Sequence, residues 1–139
     1  MTVNLKKPRI LIVDDNCLIR NVIKSFFDEY DFEIIMAVNG QEAVEKVRAC
    51  TPDLILLDIQ MPVLNGYEVA ALLKNDETVK AIPILVITGQ EHRQVAERIN
   101  GMYDGYVSKP FKKATLVKAT IECLSGKINK IEGAQKEYV

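Results

Sequence analysis

Short apolar runs alternate with longer amphipathic stretches along most of the chain. Several runs are apolar at successive positions, and each is followed by a polar residue. Strands that helices cover on both faces have this composition, whereas half-exposed strands alternate between apolar and polar residues. The five runs lie at residues 9–13, 32–38, 54–57, 82–87 and 103–107.

The stretches between the runs have the spacing of amphipathic helices. Between the first two runs, the six apolar residues within positions 18–27 share one helical face. Asn39 is a candidate N-cap for a second helix, because its side chain can accept from a free backbone N–H of the first turn. Further helical stretches lie at residues 67–73, 90–99 and 112–124.

A strand followed by a helix, five times over, predicts an α/β fold. We expect a three-layer, doubly wound (βα)5 sandwich around a parallel sheet of five strands. At 139 residues, a single domain is the default expectation. The pattern places this domain at residues 9–124, after an N-terminal extension at 1–8 and before a polar C-terminal tail or helix extension at 125–139.

Composition and charge narrow the functional classes. Eighteen Lys and Arg residues against nineteen Asp and Glu residues give a net charge of −1, which excludes the overall basic footprint of a dedicated nucleic-acid binder. Three widely spaced cysteines form no metal-binding or redox motif, which favours reduced thiols in a cytoplasmic protein. The sequence contains neither a secretory h-region nor an apolar run of bilayer length.

The predicted strands end on side chains that can do chemistry. Asp14 and Asp15 follow the first strand, Asp58 the third, Thr88 the fourth and Lys109 the fifth. Each residue alone is ordinary for a turn. Because ligands bind at the carboxyl ends of strands in a parallel α/β sheet, their joint placement indicates one site.

Three clustered carboxylates indicate a cation site. Two like charges 4 Å apart cost roughly 4 kcal/mol at an effective dielectric of 20, and a small hard ion such as Mg²⁺ relieves that repulsion. Lys109 adds a further positive charge. A carboxylate beside two cations can attack phosphorus, the Thr88 hydroxyl can donate to a phosphoryl oxygen, and Gly89 leaves room beside it.

The segments that carry these residues resemble the receiver domain of bacterial response regulators, the phosphoacceptor half of two-component signalling. The resemblance covers about residues 8–124. It implies the strand order 2-1-3-4-5 of the flavodoxin-like fold. It also implies a signalling protein that catalyses only its own phosphorylation and dephosphorylation. The matching motifs are Ile-Leu-Ile-Val-Asp-Asp (10–15), Asp-Leu-Ile-Leu-Leu-Asp-Ile-Gln-Met-Pro (53–62), Asn-Gly (65–66), Ile-Leu-Val-Ile-Thr-Gly (84–89) and Gly-Tyr-Val-Ser-Lys-Pro-Phe (105–111).

The resemblance also implies roles for the acidic residues. Asp58 is expected to accept a phosphoryl group from a histidine kinase. Asp15 is expected to bind Mg²⁺ directly, Asp14 to help through water, and Asp58 to be a further ligand. The backbone carbonyl of Gln60 would complete the protein's ligands, and Mn²⁺ is an alternative ion.

The remaining motif residues are expected to sense the phosphoryl group. By resemblance, Thr88, Gly89 and Lys109 contact its oxygens. Tyr106 is the expected switch aromatic, which turns inward when Thr88 moves toward the phosphate. The bond between Lys109 and Pro110 is expected to be cis.

The expected partners are a sensor histidine kinase or phosphotransfer protein and an unidentified downstream protein. By resemblance, the downstream protein docks on the face of the fourth helix, fifth strand and fifth helix. A phosphorylation-linked homodimer is a further hypothesis. No direct contact with nucleic acid or membrane is expected.

Several alternatives remain open at the level of sequence. The chain is either a free-standing receiver or a piece of a longer multidomain regulator or hybrid kinase, and a phosphorylation-independent interaction module is another interpretation. A haloacid-dehalogenase-type phosphatase is disfavoured because Gln60 stands where a second aspartate is needed. A dinucleotide-binding domain is disfavoured because the first strand–helix turn, residues 14–17, contains no glycine.

Overall fold

The computed structural model describes residues 7–98, 101–126 and 136–138. The strands are β1 (Arg9–Val13), β2 (Glu33–Ala37), β3 (Leu54–Leu57), β4 (Ile84–Thr88), β5 (Gly105–Ser108) and β6 (Lys136–Tyr138). The helices are α1 (Cys17–Phe26), α2 (Gly40–Cys50), α3 (Gly66–Lys74), α4 (His92–Arg98) and α5 (Lys113–Leu124). Ile99, which the predicted fourth helix included, lies outside the described residues.

The strands form one parallel sheet in the order β2-β1-β3-β4-β5-β6. The predicted order of the first five strands is confirmed. The predicted number of strands is wrong, because β6 adds a sixth strand on the free edge of β5. β6 lies within the segment predicted as a polar tail or helix extension, of which residues 127–135 and 139 are outside the described residues. Three residues are too few to show the alternation that identifies a strand.

Two apolar cores lie on opposite faces of the sheet. Successive residues of β1 alternate between them, so that Ile10 and Ile12 face one core and Leu11 and Val13 face the other. Helices α1 and α5 cover the first face, and helices α2, α3 and α4 cover the second. The three-layer sandwich is therefore confirmed. Among the described residues, no helix has the length and apolar character needed to cross a bilayer.

The apolar face of α1 is only partly buried. Ile23 and Phe27 are buried, whereas Leu18 is 74% exposed and Val22 is 43% exposed. Both residues belong to the predicted apolar face, yet they remain at the surface. At 3.6 residues per turn the six apolar positions spread over about half of the helix circumference, and Leu18 and Val22 lie at one margin of that arc.

Asparagine caps begin the helices that flank the carboxyl edge of the sheet. The Asn16 side chain accepts from the backbone N–H groups of Leu18 and Ile19, which fixes the start of α1 directly after the acidic pair. Asn39 caps α2 as predicted. Asn65 forms a capping box with Glu68 at the start of α3.

Replacing Gly66 by alanine is expected to destabilise the fold by about 1–3 kcal/mol. A Cβ at this position would lie 2.5 Å from the Asp58 carbonyl oxygen and 2.6 Å from the Ile59 Cα, and these backbone atoms have little freedom to move. Urea denaturation measures the effect. The matched control is Gly89→Ala, whose Cβ would meet only the Gln60 side chain at 3.7 Å. Equal stability of the two variants would contradict the close packing at Gly66.

Candidate functional site

The acidic residues lie together at the carboxyl edge of the central strands. Val13 of β1 pairs with Leu57 of β3, so that the chain leaves both strands side by side at this edge. Asp14 and Asp58 are 3% and 5% exposed, and Asp15 is exposed. One carboxylate oxygen from each of the three residues lies within 4.8 Å of the others.

Backbone groups of the adjoining turns orient the two buried carboxylates. The Asn16 N–H donates to Asp14 Oδ1 at 2.8 Å, and the Gln60 N–H donates to Asp58 Oδ1 at 3.2 Å. The Arg20 guanidinium donates to the Asp14 carbonyl at 2.6 Å. Each carboxylate therefore has one oxygen bound to the backbone and a second oxygen free to face the site.

Lys109 brings its ammonium group to those second oxygens. Its Nζ lies 2.8 Å from Asp14 Oδ2 and 3.5 Å from Asp58 Oδ2. The Lys109 backbone N–H donates to the Thr88 carbonyl at 2.9 Å, which ties the end of β5 to the end of β4. The Lys109–Pro110 bond is cis, as the resemblance implies.

Burial and charge act in opposite directions on this cluster. Burial raises the pKa of Asp58, and the neighbouring charge of Asp14 raises it further, although Lys109 opposes both effects. Burial would lower the pKa of Lys109. The hydrogen bond with Asp14 and the charges of Asp58 and Asp14 outweigh that effect and raise its pKa. The lysine therefore stays protonated beside a carboxylate that is costly to keep charged.

The oxygen donors of this cluster fit a small divalent cation. Three carboxylates within 4.8 Å exceed what one ammonium group neutralises, and all of them are hard oxygen ligands of the type that Mg²⁺ prefers. Asp15 is exposed, so that an ion held here could keep several of its waters. Gln60 follows Asp58 by two residues and brings its backbone to the same turn.

Thr88 and Gly89 occupy the next strand end. Leu57 pairs with Val86, so that Asp58 and Thr88 leave neighbouring strands at the same edge of the sheet. Thr88 is fully buried, and its hydroxyl oxygen accepts from the Gln90 N–H at 3.4 Å. Gly89 is exposed, and a Cβ there would make only ordinary contact with Gln60, so that this position does not sterically require glycine.

Tyr106 is buried and connects β5 to the loop after β4. It is 1% exposed, and its hydroxyl donates to the Gln90 carbonyl. Its ring lies 4.7 Å from the His92 ring, centroid to centroid. Because Gln90 also donates its N–H to Thr88, one residue joins the strand end at the site to the tyrosine. Tyr106 is therefore already buried in this structure, and its role as the switch aromatic stays a prediction.

The structure adds two residues that the sequence did not single out. Tyr67 Oη donates to the Gln90 Oε1 atom at 2.5 Å, and the Arg98 guanidinium lies 3.9 Å from the centre of the Tyr67 ring. Together they hold the Gln90 side chain next to the site. Tyr67 lies in a helical stretch whose spacing indicates only a core position, so that no sequence signal distinguished it.

The family model for the response regulator receiver domain matches residues 10–121. The chain belongs to this family. Its receiver fold is also similar to solved structures, among them chemotaxis response regulator CheY4 of Vibrio cholerae, with a TM-score of 0.79, 27% identity, and coverage of 85% of this chain and 99% of that chain.

Similar curated receiver sequences come from two kinds of protein. The polar-differentiation response regulator DivK of Brucella anthropi is 37% identical over 102 residues, covering 73% of this chain and 83% of that protein. Hybrid signal transduction histidine kinase D of Dictyostelium discoideum is 37% identical over 123 residues, covering 87% of this chain but 8% of that protein. The chain likewise spans 12% of the autoinducer 1 sensor kinase/phosphatase LuxN of Vibrio campbellii.

This receiver domain is therefore a two-component signalling module homologous to response regulators and to receiver domains of hybrid kinases. Receiver domains interact with histidine kinases or phosphotransfer proteins, and they bind Mg²⁺ at an acidic cluster of the kind that Asp14, Asp15 and Asp58 form here. Family membership removes the phosphatase and dinucleotide-binding alternatives.

Proposed function

We propose that this receiver domain accepts a phosphoryl group on Asp58 in a Mg²⁺-dependent reaction. The observation that carries the proposal is the position of Lys109, whose ammonium group lies between the buried carboxylates of Asp14 and Asp58 at 2.8 and 3.5 Å. A structural ion pair would need one carboxylate. Here two buried carboxylates and an exposed third one share one ammonium group, which leaves negative charge for a metal ion. The same arrangement orients Asp58 toward an incoming group.

The ligands proposed for the ion are the carboxylates of Asp14, Asp15 and Asp58 and the backbone carbonyl of Gln60. Mn²⁺ would suit the same oxygen donors. When bound, the ion supplies positive charge that offsets the charge of a phosphoryl group. Phosphorylation of this receiver should therefore stop when the divalent ion is removed.

The chain's own residues account for the rest of the reaction. An Asp58 carboxylate oxygen forms a bond to phosphorus, and the bond between phosphorus and the donor's nitrogen or oxygen atom breaks, so that the electron pair leaves with the donor. Lys109 compensates charge on the transferred oxygens, and the Thr88 hydroxyl donates to one of them. Gly89 leaves space beside Thr88. Hydrolysis of the aspartyl phosphate resets the module, so that no separate substrate is turned over.

The proposed donor is a sensor histidine kinase or a phosphotransfer protein. The proposed output is a downstream protein that docks on the α4-β5-α5 face, where Tyr106 connects that face to the phosphorylation site. We place this signalling in the cytoplasm, and phosphorylation-linked dimerisation on the same face is a subsidiary hypothesis. The supporting observation is the chain Thr88–Gln90–Tyr106, which joins both regions through two hydrogen bonds.

Intact-protein mass spectrometry after incubation with a small phosphodonor tests the proposal. With Mg²⁺ the wild-type protein should gain one phosphoryl group, and with EDTA it should gain none. A wild-type protein that binds Mg²⁺ in a titration but never gains the group would favour the phosphorylation-independent interaction module instead.

Thr88→Ala is expected to separate phosphorylation from the conformational response. Asp58 should still accept the group, because its nucleophile and Lys109 are intact. A hydrogen bond to a charged group contributes about 1.5–3 kcal/mol, so that its loss weakens the switch equilibrium by about tenfold or more. NMR shifts of residues 103–108 with and without phosphorylation measure the response. The matched control is Thr78→Ala, because the Thr78 hydroxyl donates to the Asp76 carboxylate within a turn. An undiminished shift change at Tyr106 would contradict the proposed role of Thr88.

A further inference from the structure

The loop between β4 and α4 is bound by a side chain of another helix. In this loop the Gln90 N–H donates to the Thr88 hydroxyl, and the Gln90 carbonyl accepts from the Tyr106 hydroxyl. These two bonds join the loop to its own strand β4 and to β5. A third bond comes from α3, where the Tyr67 hydroxyl donates to the Gln90 side-chain oxygen Oε1 at 2.5 Å. Tyr67 therefore contacts the loop from outside the chain Thr88–Gln90–Tyr106.

Tyr67 is attached to a part of the backbone that has little freedom to move. Gly66, directly before it, donates its N–H to the Ile59 carbonyl at 2.9 Å. A Cβ on Gly66 would lie 2.5 Å from the Asp58 carbonyl oxygen, which shows how closely the start of α3 packs on the turn after β3. The backbone of Tyr67 is therefore held at a nearly fixed position relative to Asp58.

The side chain of Tyr67 is held as firmly as its backbone. It is 6% exposed and belongs to the apolar core that contains Val95 of α4 and Tyr106 of β5. The Arg98 guanidinium, at the end of α4, lies 3.9 Å from the ring centre in a cation–π contact. Burial raises the pKa of Tyr67, although Arg98 opposes this effect, so that the hydroxyl stays protonated at neutral pH and can donate.

The hydrogen bond between Tyr67 and Gln90 is sensitive to a displacement of the loop. Hydrogen bonds between oxygen atoms span about 2.5–3.0 Å, so that a shift of roughly 1 Å breaks this one. Under the proposed function, the Thr88 hydroxyl turns toward a phosphoryl oxygen on Asp58. The Gln90 N–H binds this same hydroxyl, so that the loop is displaced with it. The bond from the fixed Tyr67 therefore favours the unphosphorylated arrangement.

We propose that Tyr67 is a positioning residue that stabilises the resting arrangement of the loop between β4 and α4, and that its bond with Gln90 breaks when Asp58 is phosphorylated. The inference rests on the proposed phosphorylation of Asp58. In the unphosphorylated protein the bond keeps the population of the switched arrangement low. Because coupling between two equilibria is reciprocal, removing the bond should tighten the binding of a phosphoryl mimic.

Tyr67→Phe tests this coupling with beryllofluoride, a noncovalent mimic of the phosphoryl group, at saturating Mg²⁺. The variant keeps the ring and its contact with Arg98 and loses only the hydroxyl. The half-saturating beryllofluoride concentration, measured by NMR shifts of residues 84–88, should be about twofold to tenfold lower than in the wild type, as expected for one net hydrogen bond. A merely structural residue would leave the affinity unchanged or weaken it, and either result would overturn the proposal.

The matched control is Tyr138→Phe. It also removes the hydroxyl of a buried tyrosine, but this hydroxyl donates to Glu122 and the ring packs in the core on the opposite face of the sheet. Its affinity for beryllofluoride should equal that of the wild type. An equal gain of affinity in both variants would overturn the proposal, because it would assign the effect to a general loss of stability.

Gln90→Leu shows whether Tyr67 acts through Gln90. Leucine removes the side-chain oxygen that accepts from Tyr67 and keeps most of the side-chain volume. In this background, Tyr67→Phe should no longer change the affinity for beryllofluoride, since the bond is already absent. The same gain of affinity in both backgrounds would overturn the proposal, because Tyr67 would then act independently of Gln90.

Amide hydrogen exchange without phosphodonor or beryllofluoride separates this inference from the proposed function. In Tyr67→Phe, the amides of Gln90 and α4 should exchange about twofold to tenfold faster than in the wild type, and those of α2 should not change. A wild type that binds no beryllofluoride would refute the proposed function, and the exchange rates alone would then decide whether Tyr67 restrains the loop. Unchanged exchange at Gln90 and α4 would overturn the restraint in either case.

Discussion

Asp58→Asn is expected to abolish phosphorylation by a small phosphodonor completely. The carboxamide lacks the nucleophilic oxygen, while the backbone donor Gln60 and the Lys109–Asp14 pair remain to hold the site. Intact mass measures the loss. Asp53→Asn is the matched control, since Asp53 precedes the same strand at its opposite end and accepts from the Arg9 N–H at 2.7 Å. Full phosphorylation of Asp58→Asn would exclude Asp58 as the acceptor.

The same substitution has a second expected effect on stability. Burial and the Asp14 charge both oppose ionisation of Asp58 and raise its pKa. Asparagine removes this buried charge, so that Asp58→Asn should unfold at a higher urea concentration than the wild type in EDTA at neutral pH. Added Mg²⁺ should reduce the difference, because the wild type gains a bound ion that favours the charged carboxylate. A destabilised variant in EDTA would contradict the electrostatic description of the site.

Asp15→Asn is expected to weaken Mg²⁺ binding by at least about tenfold. Asp15 is the exposed member of the carboxylate cluster, so that its substitution removes a charged ligand with little loss of packing. The interaction energy of two unit charges 4 Å apart is roughly 4 kcal/mol at an effective dielectric of 20. Even after partial screening this energy exceeds the roughly 1.4 kcal/mol that corresponds to a tenfold change in affinity. Phosphorylation at limiting Mg²⁺ should fall in parallel.

Isothermal titration with Mg²⁺ measures this change directly. The control is Asp28→Asn, an exposed carboxylate that follows α1 away from the site. It makes the same change in net charge without touching the cluster. Equal affinities of Asp15→Asn and the wild type would show that Asp15 is not a ligand.

The sheet and the carboxylate cluster could be predicted because local patterns determine both. β1 and β3 are apolar at nearly every position, and their ends are marked by Asp14 and Asp58. A parallel sheet then brings the strand ends to one edge regardless of side-chain detail. The sequence therefore predicted that Lys109 would approach Asp14 and Asp58, although both are more than forty positions away along the chain. The 2.8 Å contact between Lys109 and Asp14 follows from this meeting of strand ends.

Other features depend on tertiary contacts that leave no local pattern. The exposure of Leu18 and Val22 reflects how α1 is rotated against the sheet, and spacing alone does not fix that rotation at the margin of an apolar arc. The contact of Tyr67 with Gln90 joins α3 to the loop before α4. The first five strands already form a complete parallel sheet, and β6 pairs with the outer edge of β5. The three residues of β6 therefore needed no strand pattern of their own in the sequence.

The most direct test of the central claim locates the phosphoryl group. The protein is phosphorylated with a small donor and Mg²⁺ and reduced with borohydride, which converts an aspartyl phosphate to homoserine, and its peptides are then sequenced by mass spectrometry. We predict homoserine in place of Asp58 alone, and none when EDTA replaces Mg²⁺. Homoserine at another aspartate, or a phosphoryl group that survives reduction on a different side chain, would contradict the assignment of Asp58 as the phosphoacceptor.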